Sequence, residues 1–224
     1  MTNVKSVIFA GYRSWAKELF ELLSLKYDNI NWYLARNEKQ LSDLMQINTI
    51  DFVVLAGWSW ILEDEKVNSK IVLGLHPSDL PDYAGGSPIQ NQVLDGIKET
   101  KMSLFKLSAG IDTGDILLKE SMSLQGGIED IFSELVRASE KLLDLAIEKY
   151  PNFTYYKQKG HGKKCRRLPP SRSEITIQDF KENSLEKMYD IIRCREDPYP
   201  NVFIEDKSGK LFFNKVSFIK NEKY

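Results

Sequence analysis

The chain has 224 residues, 42% hydrophobic, 11% aromatic and 28% charged, enough to bury a real core and too apolar for a largely disordered scaffold. Its 31 Lys and Arg against 32 Asp and Glu leave a formal charge of -1, so no global basic field attracts nucleic acid or an anionic membrane, and only a local basic patch stays open. Cys165 and Cys194 form no C-x-x-C pair and only two histidines accompany them, which argues against a disulfide framework and a structural zinc site. The first residues do not read as a secretion signal, and the longest apolar-rich run, 53–62, is broken by Gly57 and Ser59 and falls far short of the ~20 residues of a membrane span. A cytoplasmic protein with no membrane partner is expected.

In chain order, Val7-Ile8-Phe9-Ala10 predicts a strand that closes on Gly11, and Trp15, Leu19, Leu22 and Leu23 follow at helical spacing. The pattern repeats with strands over 30–35, 51–56 and 70–75 and a short helix over 38–45. Strands that are apolar throughout and alternate with helices predict an α/β fold, a Rossmann-like, mainly parallel sheet with helices on both faces. The turn Gly11-Tyr12-Arg13-Ser14 lacks the G-x-G-x-x-G spacing, so no dinucleotide is expected. Three prolines and Gly85-Gly86 predict a loop over 77–88, a helix starts over 89–94, and strands over 101–107 and 115–122 flank a turn over 110–114. Ile131, Phe132, Leu135, Val136, Leu142, Leu143 and Ile147 form the apolar face of a long helix over 128–149, which Pro151 ends. After a basic, irregular linker over 161–170, the last segment predicts one helix over 184–193 and two strands, 201–206 and 210–218, joined by Lys207-Ser208-Gly209. This divides the chain into a main domain over 1–160 and a small C-terminal α+β extension with a β-hairpin over 161–224.

His76 stands at the carboxyl end of a predicted parallel strand, where open α/β sheets bind ligands. Position alone leaves a catalytic group and a histidine bonded to nearby backbone about equally good readings. Asp112 and Asp115 lie in Ile111-Asp112-Thr113-Gly114-Asp115, which taken alone reads as an Asp-rich turn; no further carboxylates cluster there, so no metal is expected.

Three ordered motifs remove the ambiguity. Leu75-His76-Pro77-Ser78-Asp79-Leu80-Pro81, then Tyr83-Ala84-Gly85-Gly86-Ser87-Pro88, then Ala109-Gly110-Ile111-Asp112-Thr113-Gly114-Asp115-Ile116 resemble the folate-dependent formyltransferase family. The resemblance implies an N-formyltransferase with domain 1–160 catalytic, moving a formyl group from 10-formyltetrahydrofolate to an amine and leaving tetrahydrofolate. The family's site is an Asn, a His two residues later and an Asp, which puts His76 and Asp112 in catalytic roles and Gly74 where the Asn belongs. A preorganised donor to the developing oxyanion is often worth ~3 to 4 kcal/mol, and glycine offers none. A protonated His76 is expected to donate to that oxygen while Asp112 holds the ring and accepts the amine's proton, directly or through water. Gln90, Asn91, Gln92, Ser78 and a backbone N–H stay open as replacement donors.

For the cofactor, the resemblance implies Gly57, Trp58, Ser59, Trp60 and Ile61 on one side of a pterin pocket, with Leu107, Ser108, Ala109 and Gly110 on the other and Asp115 nearby. Trp58 and Trp60 read equally well as core or dimer contacts. For the substrate, Gly85, Gly86, Ser87 and Pro88 flank His76, with Ser78, Tyr83 and Gln90 beside them. Arg166-Arg167-Leu168-Pro169 to Glu174-Ile175 and Ile192-Arg193-Cys194-Arg195 to Asp197-Pro198-Tyr199-Pro200 resemble the tail of sugar N-formyltransferases. That resemblance implies a nucleotide-linked amino sugar as acceptor, in synthesis of surface glycans such as lipopolysaccharide, and no nucleic-acid partner. Transfer to another small amine or to water, and a binding protein without activity, are the alternatives. The apolar hairpin residues Val202, Phe203, Leu211, Phe212, Val216 and Phe218 are expected to pack on the core or on a second subunit, which leaves a homodimer open.

Overall fold

A computed structural model describes residues 2–63, 67 and 69–221. The strands are β1 (Ser6–Ala10), β2 (Asn31–Ala35), β3 (Phe52–Ala56), β4 (Val72–His76), β5 (Ala84–Gly85), β6 (Glu99–Lys106), β7 (Ile116–Ser123), β8 (Lys164–Cys165), β9 (Val202–Asp206) and β10 (Gly209–Phe213). The described helices are α1 (Ser14–Lys26), α2 (Glu38–Leu44), α3 (Pro88–Leu94), α4 (Ile128–Lys149), α5 (Ile177–Glu182) and α6 (Leu185–Arg193), with a 3-10 turn at Pro170–Arg172.

The six-stranded sheet has the order β2-β1-β3-β4-β6-β7. The first four strands pair in parallel, and β6 runs antiparallel to both β4 and β7. β1, β3 and β4 are buried along their whole length because both faces are covered. Alternation sorts their side chains: Val7 and Phe9 join the core under α1 and α4, whereas Ile8 and Ala10 join the core under α2. α4 buries Ile131, Leu135, Leu142 and Leu143 in the larger core, each such side chain contributing roughly 1.5–3 kcal/mol. Among the described residues no helix is long and apolar enough to cross a membrane.

The C-terminal segment carries its own small core of Ile175, Met188, Ile192 and Val202. It is tied to the rest by Arg193, fully buried, whose guanidinium donates to the carbonyls of Leu124 and Gly126, both at 2.7 Å, and to Asp190 at 2.7 Å. Two expectations are corrected here. A second helix, α5, precedes α6, nucleated by Thr176 and Asp179, which cap each other's backbone N–H. The last strand stops at Phe213 rather than at residue 218, because the Val216 N–H turns to the buried Glu196 carboxylate at 3.1 Å instead of continuing the ladder. Of the hairpin's apolar residues, Val202 is buried and Phe218 stacks on Tyr189 of α6, while Leu211 and Phe212 face outward.

Candidate functional site

His76 ends β4, 6% exposed and paired in register with Ser103 of β6. Its Nε2 lies 2.9 Å from the Tyr83 carbonyl, which only accepts, so Nε2 carries a proton. Its Nδ1 lies 3.3 Å from Asp112 Oδ2. With Nε2 protonated, a hydrogen bond across that second contact needs one more proton, on Nδ1 or on the carboxylate.

Backbone strain makes this geometry. Tyr83, Ser87 and Asp112 are the non-glycine residues with positive φ among those described, at 56°, 52° and 53°. All three lie in the two loops that meet at His76, and each costs on the order of 1–3 kcal/mol that the surrounding structure must offset. The turned backbone of Tyr83 presents its carbonyl to Nε2. At Asp112 it returns the carboxylate to Nδ1 and to the Gly85 N–H, 2.8 Å away. Gln158, which no sequence signal marks, clamps the same turn by donating to the carbonyls of Asp112 and Gly114, both at 2.8 Å.

The loop after Tyr83 is held by a pairing that the sequence does not announce: β5 lies parallel to β8. A β-carbon on Gly85 would stand 2.3 Å from the Cys165 carbonyl oxygen, and one on Gly86 would stand 2.7 Å from the Arg167 nitrogen, so this approach needs glycines. Ser87 accepts from the Leu168 N–H at 3.1 Å, and Pro88 starts α3. Three residues expected around the substrate are turned inward. Ser78 is fully buried and donates to the Asp82 carbonyl at 2.6 Å, and Gln90 is buried on α3. The Tyr83 phenol turns to Asp95 at 2.7 Å and is held well above its ordinary range by burial and that carboxylate. Burial alone would raise Asp95, but hydrogen bonds from Lys163 and Tyr83 hold it below the usual carboxylate range.

On the expected cofactor side, Trp58 and Leu107 both pack against the core under α2. The Trp58 Nε1–H is buried with no hydrogen-bond partner among the described residues, a cost of about 1–3 kcal/mol unless an acceptor meets it. An unmet donor beside an apolar wall fits the hydrogen-bonding edge of a pterin. Gly57 turns the chain at φ 60°, and the Ser59 hydroxyl lies 2.6 Å from that of Tyr12. Trp60 is half-exposed and Ile61 faces solvent. Thr113 bonds the Ala109 carbonyl and the Ser108 hydroxyl across the Gly110 turn, and Asp115 offers its carbonyl to the Lys106 N–H. A β-carbon on Gly74 would lie 2.7 Å from the Phe105 ring and 2.9 Å from Leu107, so the place of the family's Asn is filled. A cavity of about 330 Å³ lies elsewhere, lined by Asp79, Asp82, Glu99 and Lys101 among others, but not by His76 or Asp112.

His76 at the end of β4 and Asp112 in the β6–β7 turn, flanked by the strained Tyr83–Ser87 loop, make an acid–base pair at the carboxyl edge of the sheet. Residues 17–141 match the formyl transferase family model, and the chain belongs to that family. It is 27% identical over 175 residues to a methionyl-tRNA formyltransferase of Rickettsia felis, a match covering 75% of this chain and 55% of the relative. The chain thus spans little more than half the length of the curated relatives it matches. A structure of a methionyl-tRNA formyltransferase from Clostridium thermocellum superposes with a TM-score of 0.86 at 31% identity, covering 98% of this chain and 96% of that one. A sugar N-formyltransferase from Shewanella shares the fold, with a TM-score of 0.73 at 14% identity, covering 97% and 99% of the two chains.

These relatives overturn the expected acceptor. The nucleotide-linked amino sugar, the glycan and lipopolysaccharide setting and the exclusion of nucleic acid do not stand against relatives named for methionyl-tRNA. The expected acceptor rested on the tail's resemblance, and the basic linker reaches further than its expected bounds: between Glu148 and Glu174 stands no acidic residue, with Lys149, Lys157, Lys159, Lys163, Lys164, Arg166, Arg167 and Arg172.

Proposed function

We propose that the chain transfers a formyl group from 10-formyltetrahydrofolate to the amine of an aminoacyl group carried on tRNA, the acceptor class named in its relatives. The observation that carries the chemistry is the 3.3 Å contact between His76 Nδ1 and Asp112. The donor, when bound, supplies an electrophilic formyl carbon. Asp112 takes the proton that the attacking amine gives up and would hand it to the nitrogen released as the donor's formyl C–N bond breaks, while the Nδ1 proton of His76 is the one available to the developing oxygen and would return to the ring as the carbonyl re-forms. The Tyr83 carbonyl keeps the ring in place through Nε2. In this reading Gly57, Trp58, Leu107 to Gly110 and Asp115 bound the folate site, with Trp58 Nε1 as a donor to the pterin, the outward-facing Ser59, Trp60 and Ile61 lie outside it, and Gly85 to Pro88 flank the acceptor. Catalysis belongs to residues 1–160, and 161–224 supply an outer wall.

The acid-free segment supports a polyanionic acceptor. Lys157, Lys159, Lys163, Lys164, Arg166, Arg167 and Arg172 are all exposed, and β8 runs directly beside the β5 loop next to the site. An aminoacyl-tRNA acceptor would place the protein in the cytoplasm. The test is incubation of purified protein with 10-formyltetrahydrofolate and methionyl-tRNA, followed by mass spectrometry of the released amino acid. Formylmethionine is expected. Tetrahydrofolate and formate appearing with no formylmethionine would overturn the acceptor, and no tetrahydrofolate at all would overturn the activity.

A further inference from the structure

Tyr12, Trp60, Tyr156 and Phe212 are the exposed aromatics among the described residues, and the first two meet each other beside the strand ends that carry the site. Each of these two is 36% exposed, and neither belongs to a buried cluster. They lie just past the carboxyl ends of β1 and β3, where the strand order reverses and open α/β sheets leave a crevice. Their ring centroids are 4.9 Å apart, and Trp60 in turn meets the edge of Trp58 at 4.8 Å. Two guanidiniums frame the pair. Arg13 lies over the Tyr12 ring at 4.9 Å, and Arg167 donates to the Ser59 hydroxyl at 3.0 Å, which is itself 2.6 Å from the Tyr12 hydroxyl.

This cluster connects to the reacting residues through contiguous contacts. The Arg167 backbone packs against Gly86, and the neighbouring Gly85 N–H holds the Asp112 carboxylate. Exposed aromatic faces bracketed by arginines match the chemistry of single-stranded nucleic acid, which offers a flat base to stack and a phosphate beside it. Trp58 is oriented differently, packing with Leu62 and Leu107 on the expected folate side.

We infer that Tyr12 and Trp60 form a stacking platform for an unpaired nucleobase of the tRNA acceptor's single-stranded end, with Arg13 and Arg167 on its phosphate. The inference rests on the proposed acceptor and deepens it: the platform sets acceptor affinity and leaves the folate site and the chemistry alone.

The experiment compares wild type, Trp60→Leu, Tyr12→Leu and Trp60→Phe. Each is titrated with deacylated tRNA and, separately, with tetrahydrofolate, and thermal melts confirm folding. Stacking contributes enough that each Leu variant should bind tRNA roughly 5- to 150-fold more weakly, with Trp60→Phe staying near wild type. Affinity for tetrahydrofolate should not move, and the loss should appear in KM for methionyl-tRNA rather than in kcat. Unchanged tRNA affinity in both Leu variants would overturn the platform while leaving the acceptor intact if wild type formylates methionyl-tRNA. A loss confined to tetrahydrofolate would assign the aromatics to the folate site instead. Absence of tRNA binding and formylation in wild type would bring down the acceptor and the platform together.

Discussion

The ring of Phe105 occupies the space into which a side chain at Gly74 would project, with its Cε1 2.7 Å from an ideal β-carbon. Residue 74 is thus not an Asn site with the side chain deleted, because β6 has moved a ring into the gap. Gly74→Asn is expected to destabilise by about 1–3 kcal/mol through overpacking, lowering Tm by a few degrees, without raising kcat. Phe105→Ala should cost less in the Gly74→Asn background than in wild type, and a double-mutant cycle should give a coupling on the order of 1 kcal/mol. Equal melting temperatures for Gly74→Asn and wild type would mean the ring yields freely.

Asp112 faces two donors at once, the Gly85 N–H at 2.8 Å and His76 Nδ1 at 3.3 Å. Asn at this position can still accept from Gly85 and so keep the turn, but it cannot take a proton. Asp112→Asn should lower kcat by roughly 100- to 10,000-fold while tetrahydrofolate affinity and Tm stay near wild type. Transfer within threefold of wild type (on the order of experimental scatter against that range) would remove Asp112 from the proton route.

The layered sheet was legible because β1 alternates Val7 and Phe9 with Ile8 and Ala10, feeding two cores from one strand. The motifs single out His76 and Asp112, and the fold brings the two side chains together at 3.3 Å. The β5–β8 pairing was not, since two-residue strands carry no periodicity and their register depends on close backbone approach at Gly85 and Gly86. α5 did leave a signal, the Thr176-x-x-Asp179 box, ahead of a helix with no buried face. The acceptor was misread for a different reason: the tail's resemblance to sugar N-formyltransferases was followed, while the basic linker over 161–170 gains meaning only from its position beside β5.

Arg193 decides how the C-terminal segment is attached. It is fully buried and joins Asp190, itself held by Lys98 at 3.0 Å, to two carbonyls of the β7–α4 connection. Arg193→Met would leave those carbonyls unmet, so unfolding by urea should show a loss of about 3–5 kcal/mol. Lys215→Gln breaks an exposed pair with Glu129 and should change stability by less than about 0.5 kcal/mol. Similar midpoints for the two variants would show that the buried network contributes no more than a surface contact.

The alkaline limit of stability follows from three groups that hold their protons more tightly in the fold. Burial pushes the Cys165 and Cys194 thiols up to about 11 from an ordinary 9.0. Burial, with the Asp144 carboxylate, pushes the Tyr27 phenol up to about 12 from 10.0. Between the unfolded and folded values the unfolded chain releases these protons and the folded chain does not, so each rise in pH favours unfolding. The thiols' contribution is intact below pH 9.0 and is lost progressively as pH climbs toward 11, and that of the phenol is intact below 10.0 and lost toward about 12. Melting temperature should accordingly fall over that interval, and Cys194→Ala, once corrected for its own packing loss below pH 9.0, should fall less steeply than wild type. A melting temperature that stays level from pH 9.0 to 11 would show that the thiols ionise as readily folded as unfolded.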